Sequence, residues 1–248
     1  MIVFDLDDTL YKEADYVKSG VDAVCNRIIS RGLLSSDEAT RICKTAKDTA
    51  GAFDALITEI SARHGQELLT INDILKIYRN HMPSLKLDKV TEKALTELHR
   101  AGNEMGIITD GRSVTQRNKI KALGLDRFFR PQNILISEET GASKHDRIAF
   151  ERMMELNPSE NTFSYVGDNP YKDFLWPNRL GWYTVMLRDN DGRNIHPQPK
   201  ENTYTTEIDH SDSENTSYDN TESPDLTNLY LAKSTINSLS DLPGLIRG

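Results

Sequence analysis

The sequence has little cysteine: only Cys25 and Cys43 among 248 residues. Their spacing is neither a CxxC pair nor a metal-ligand pattern, so a disulfide scaffold and a thiolate metal centre are both excluded. Two free thiols in a reducing compartment are the reading that remains. Positive charge is also scarce, with 30 Lys and Arg against 38 Asp and Glu and a formal net charge of −8. Nucleic-acid backbones are bound by concentrated Lys and Arg, so nucleic acid is excluded as a main partner. A small phosphorylated compound met in a local basic pocket is not. No apolar run approaches the ~20 residues of a membrane helix, and no basic-then-apolar leader opens the chain. No membrane partner and a cytoplasmic location are the expectations. Apolar residues are 37% of the chain, and the deficit is local. The stretch 189–228 is dominated by Asp, Glu, Asn, Ser and Thr. Within it, HSDSENTSYDNTESPD (His210–Asp225) cannot bury a core, and the whole of 189–228 reads as a flexible excursion.

Elsewhere, short apolar runs alternate with helix-like stretches. The predicted strands are Met1–Phe4, Glu104–Ile108, Asn133–Ile136, Phe163–Val166 and Trp182–Leu187. Helical patterns fall at Val90–Arg100, Val114–Leu123, Arg147–Leu156 and near Phe174–Arg179, with a closing helix over Ile236–Ile246. This alternation predicts an α/β fold, a parallel sheet with helices on both faces. Between Tyr11 and about Leu87 no strand-like run occurs. Val17, Val21, Val24 and Ile28 recur at helical spacing, and further helices are predicted at Ser36–Thr49, Phe53–His64 and Ile71–His81, the last stopped by Pro83. The expected division is a core of residues 1–11 and 88–248 and an inserted all-α subdomain of residues 12–87.

In open α/β sheets, ligands bind outside the carboxyl ends of the strands. The residues at those ends are therefore informative. The first strand runs into Asp5-Leu6-Asp7-Asp8-Thr9, and the second into Thr109-Asp110-Gly111-Arg112. Gly141-Ala142-Ser143-Lys144 comes shortly after the third, and Gly167-Asp168 through Asp173 after the fourth. Acids, a hydroxyl and a lysine thus converge on one sheet edge. Two carboxylates two residues apart can act as nucleophile and as general acid and base on one reacting atom, as in enzymes that form an aspartyl phosphate. Magnesium on Asp5 and Asp168 would offset the repulsion among the acids. Lys144 and Thr109 can hold the same anionic group.

These residues resemble the four motifs of the haloacid dehalogenase superfamily of phosphohydrolases. Asp5-Leu6-Asp7-Asp8-Thr9 looks like its DxDxT motif, Ile107–Gly111 its second, Lys144 its lysine and Gly167-Asp168 to Asp173 its GDxxxxD motif. All four stand in family order. The resemblance implies a Rossmann-like core with the helical insert as cap. It implies Asp5 as nucleophile and Asp7 as acid and base, the backbone carbonyl of Asp7 also binding magnesium. It implies Thr109 and Lys144 on the phosphoryl group, Asp168 on Mg2+, and Asp173 supporting the ion or orienting Lys144. Halide-releasing members lack the second carboxylate, so Asp7 favours phosphate chemistry. Gly167–Trp182 with Arg188–Gly192 is similar to bacterial members associated with surface polysaccharide synthesis, which implies a sugar phosphate or nucleotide as substrate.

Simpler roles stand beside these. Asp8 reads as a turn residue. Asp110, Gly111 and Arg112 are placed to touch substrate, yet Asp110-Gly111 is also a turn signal and Arg112 an ordinary surface arginine. A phosphomutase would use the same residues to pass the group to a sugar. A non-catalytic phospho-ligand-binding or phospho-signalling protein is the alternative outside catalysis.

Overall fold

Ile2, Val3 and Phe4 are almost completely buried, as an uninterrupted apolar run requires when both faces of a parallel strand are covered. In a computed structural model of the chain, which describes residues 1–46, 48–196, 198 and 226–246, these residues form β1 (Ile2–Phe4). Four further strands lie close to their predicted positions: β2 (Met105–Thr109), β3 (Ile134–Ile136), β4 (Ser164–Gly167) and β5 (Tyr183–Leu187). A sixth, β6 (Ser234–Ile236), joins at the edge and was not expected. The closing helix expected over Ile236–Ile246 starts later, as a 3-10 turn at Leu239–Asp241 that runs into a short helix, Leu242–Ile246. The order is β3-β2-β1-β4-β5-β6, with every pair parallel. β1 is therefore central, and its partners come from much later in the chain. Phe4 pairs in register with Ile107 on one side and Val166 on the other.

Two compact units divide the chain. The first comprises residues 1–12, 87–110 and 127–248 and contains the sheet. Val3, Ile108, Leu135, Tyr165 and Met186 belong to one core cluster with Phe150 and Met153. Phe150 meets the rings of Tyr165 and Trp182 edge-on. The alternate residue Phe4 meets Phe129 edge-on instead, as the two-residue period of a strand requires.

The second unit comprises residues 13–86 and 111–126. It holds α1 (Glu13–Ser30), α2 (Ser36–Thr45), α3 (Thr49–His64), α4 (Ile71–Asn80) and α6 (Ser113–Ala122), whereas α5 (Lys89–Arg100) belongs to the first. Local chemistry starts these helices. Ser35 and Glu38 form a reciprocal capping box at α2, and Thr70 and Asp73 form another at α4. Gly20 lets α1 and α4 approach, since a Cβ there would sit 2.3 Å from the Tyr78 ring. Helix α6, placed with the core by its sequence position, clusters with this unit. Thr115 donates to the Arg79 carbonyl at 3.0 Å, Asn118 donates to that of His81 at 3.0 Å, and the Lys119 ammonium lies 4.3 Å from the Tyr16 ring centroid. Cys25 on α1 and Cys43 on α2 are free thiols whose sulfurs stand 2.9 Å apart.

The polar tract divides in two. His210–Asp225 lies outside the described residues. Residues 189–196 and 198 do not form a loose excursion: Asn194, Ile195 and Gln198 bond to Asp168 and Asp8 of the sheet unit.

Candidate active site

Asp5 is still on the ladder, donating its N–H to the Val166 carbonyl at 2.9 Å, so the sheet itself aims this carboxylate. The chain then turns tightly. Leu10 N–H returns to the Leu6 carbonyl at 3.0 Å, and Asp8 takes a left-handed φ of 58°. Asp is one of the few non-glycine residues that tolerates this region, which makes Asp8 the turn residue. Its carboxylate also accepts from the Ile195 N–H at 2.9 Å. Thr9 donates to Asp5 at 3.4 Å. Asp7, half-buried, accepts from the Tyr11 hydroxyl one turn on, which fixes its rotamer.

The other strand ends meet Asp5. Lys144 follows β3 and a short helix, α7 (Ser137–Thr140). Its buried ammonium lies 2.7 Å from Asp5 Oδ1 and 2.7 Å from Asp173 Oδ1. Its backbone N–H is held by Asp110 at 3.0 Å. Asp110 is thus tied to the lysine rather than left as a plain turn residue. Thr109 ends β2 and is buried. Asp173, wholly buried, also accepts from the Asn169 N–H at 2.8 Å and the Tyr165 hydroxyl at 3.4 Å. The strand leaves room for it because residue 167 is glycine: a Cβ there would stand 2.4 Å from Asp173 Oδ2. Gly111 and Arg112 lie at the start of α6 in the second unit.

Carboxylate oxygens of Asp5, Asp168 and Asp173 all lie within 4.8 Å of one another. One lysine faces three buried acids, so the cluster carries surplus negative charge. Burial pushes the Asp5 carboxyl up to about 7; Lys144 opposes the shift, while Asp173 and Asp7 add to it. Burial, with repulsion from Asp173 and Asp5, pushes Asp168 up to about 9. Burial alone would discharge Lys144, but Asp173 and Asp5 more than reverse this and hold it well above its ordinary range. An oxygen-only donor set of this kind fits a hard divalent cation, which would favour the ionised acids.

Both carboxyls have raised folded-state values, so their contribution to stability is complete below the ordinary carboxylate range, near about 4. It is lost as pH rises through about 7 for Asp5 and about 9 for Asp168. In chelator, the thermal midpoint is expected to fall between about pH 4 and pH 9, most steeply below about pH 7, where both groups contribute. A saturating divalent cation should flatten the profile. A flat profile in chelator would contradict these assignments.

Sequence reasoning missed the residues after β5. Asp189 accepts from Lys12 Nζ at 3.0 Å and from the Asn194 N–H at 3.1 Å. Against a burial cost, these bonds pull its carboxyl down to about 2. Asn194 donates to Asp168 Oδ2 at 2.7 Å, and Gln198 donates to the Asp168 carbonyl at 2.7 Å. The signal available was RDNDGRN, a turn-forming stretch directly behind a strand.

The model of the haloacid dehalogenase-like hydrolase family matches residues 2–186. A glyceraldehyde 3-phosphate phosphatase of Methanocaldococcus jannaschii is 31% identical over 195 residues, 75% of this chain and 83% of the relative. A protein of the same name from Methanopyrus kandleri is 28% identical over 217 residues, 84% of this chain and 92% of the relative. Among solved structures, a 2-haloacid dehalogenase from Pseudomonas syringae pv. Tomato superposes with a TM-score of 0.56 at 17% identity, covering 99% of this chain and 97% of that one. At that identity the likeness concerns the fold alone.

Proposed function

The chain belongs to the haloacid dehalogenase-like hydrolases, and we propose that it hydrolyses the phosphate monoester of a small metabolite through a phosphorylated Asp5. The observation that carries this reading is the Lys144 ammonium held 2.7 Å from both Asp5 and Asp173, with a second carboxylate, Asp7, two residues after Asp5. On this reading Asp5 attacks phosphorus and forms an acyl phosphate, while Asp7 delivers its proton to the departing alkoxide. Asp7 then takes a proton from water, which attacks the same phosphorus and releases inorganic phosphate and free Asp5. Lys144 and Thr109 offset the charge on the transferring oxygens, and such preorganised donors are where most of the rate enhancement arises.

Asp5, Asp168 and Asp173, with the Asp7 carbonyl, would hold magnesium, which supplies charge neutralisation to the phosphoryl group. Asp7 favours phosphate transfer over halide release, a distinction the fold does not make. The helical insert, residues 12–87, stands where this family carries its cap and is on this reading the selector of the leaving group. The names of the relatives support three-carbon sugar phosphates as the first compounds to try.

The test is phosphate release from a panel of triose and hexose phosphates and nucleoside monophosphates, with magnesium. At least one sugar phosphate is expected to reach a kcat/KM of about 10⁴ M⁻¹s⁻¹ or more, and chelator should abolish the reaction. Turnover indifferent to chelator, or none of any compound, would refute the reading.

A further inference from the structure

Among the described residues, the side-chain hydrogen bond to the Asp168 carboxylate comes from Asn194, 26 positions away, with Nδ2 2.7 Å from Oδ2. An amide can face a carboxylate usefully in only one of its two orientations, NH2 inward. Here the orientation is set by chemistry. The amide oxygen of Asn194 lies 2.7 Å from Lys12 Nζ. An ammonium only donates, so the atom facing it must be the acceptor and the atom facing Asp168 the donor. Lys12 is itself anchored on its far side, 3.0 Å from Asp189 and 3.2 Å from Asp191.

The backbone completes the support. Asp189 accepts from the N–H groups of Arg193 at 3.2 Å and Asn194 at 3.1 Å. Gly192, at φ 65°, supplies the left-handed turn that lets one carboxylate reach both. Gln198 ties the Asp168 carbonyl to that of Leu187, donating to each at 2.7 Å. Asp8, the turn residue beside the nucleophile, accepts from the Ile195 N–H. The segment behind β5 is thus fastened at once to the main chain and side chain of Asp168 and to the turn after Asp5.

We infer that Asn194 is a positioning residue for the divalent-cation site, orienting the Asp168 carboxylate, and that Lys12, steadied by Asp189 and Asp191, sets the orientation of Asn194. The bond from Nδ2 takes up one oxygen of Asp168 and leaves the other for the cation. Groups of this kind, one bond removed from the ion, typically govern metal affinity by 10- to 100-fold. The inference rests on the reading that Asp168 helps to hold magnesium.

The experiment measures magnesium binding to the full chain by calorimetry, without substrate. Asn194→Ala is expected to raise the magnesium dissociation constant by about 10- to 100-fold. Lys12→Met keeps Asn194 but frees its amide to turn, and is expected to shift affinity in the same direction by about tenfold. In turnover, the kcat of both variants should approach the wild-type value at high magnesium, which a merely structural lesion would not allow. Should Asn194→Ala fail to fold, Lys12→Met carries the test alone. Magnesium affinity within twofold of wild type in the folded variants would overturn the inference. A wild type that binds no magnesium would overturn both it and the cation site.

Discussion

Asp5→Asn is expected to abolish phosphate release while leaving the protein folded. The substitution keeps shape and removes the oxygen anion proposed as the nucleophile. Loss of a covalent catalyst's nucleophile typically costs ~10⁴- to 10⁶-fold in kcat, so turnover should fall to background with any substrate of the wild type. Stability should move the other way. Asp5 is one of three buried acids served by one ammonium, and burial already raises its carboxyl to about 7. At about pH 8 in chelator, its charge opposes folding, so the midpoint of Asp5→Asn should be no lower than that of the wild type. Lys144 keeps Asp173 as a partner. Phosphate release above about one per cent of wild type would remove Asp5 from the nucleophile's role.

Lys144→Met should produce the largest loss of stability of any single change at the site. The methylene stem is replaced by a side chain of similar length, so the effect is one of charge. Asp5 and the wholly buried Asp173 each lose an ion pair of 2.7 Å. Removing one partner of a buried pair costs about 3–5 kcal/mol, because the other charge is left uncompensated. For a chain of this size each kcal/mol moves the midpoint by roughly 2–4 °C, which predicts a drop of about 6–20 °C. Adding Asp173→Asn should recover part of it, since the orphaned acid is then neutral. Denaturation of the single and double variants in chelator checks both statements. An equal loss in the double variant would show that packing, not charge, is at stake. Activity of the single variant should fall by about 10²- to 10³-fold, the usual cost of one donor on the transferring group.

The core strands were legible because each is a short apolar run between polar punctuation, and burial on both faces demands that pattern. The residues that follow the strands in sequence, Asp5, Lys144, Asp168 and Asp173, are the ones the fold brings together. β6 was not legible: Ser234-Thr235-Ile236 is three residues at a sheet edge, and its one buried side chain, Ile236, also suits a helix. The place of α6 was hidden for another reason. Its ties to the helical unit are polar, from Thr115 and Asn118 to main-chain carbonyls near α4, and hydrophobic periodicity does not record such bonds. Asn194 and Asp189 were lost in the polarity of their surroundings. What distinguishes them is partners 26 and 177 positions away, and composition carries no trace of those.

The central position of β1 bears on how the enzyme comes into being on the ribosome. β1 is flanked by β2 and β4, which emerge about a hundred or more residues after it. The segment 13–86 can meanwhile form its helices from near neighbours, at small cost in loop closure. Asp5 waits. Its ammonium partner is 139 positions downstream, and the bond to the Asp168 carboxylate waits for Asn194. A nascent chain interrupted anywhere before that point holds its reactive carboxylate without the surroundings that give it chemistry, so catalytic competence arrives late and all at once rather than growing with length.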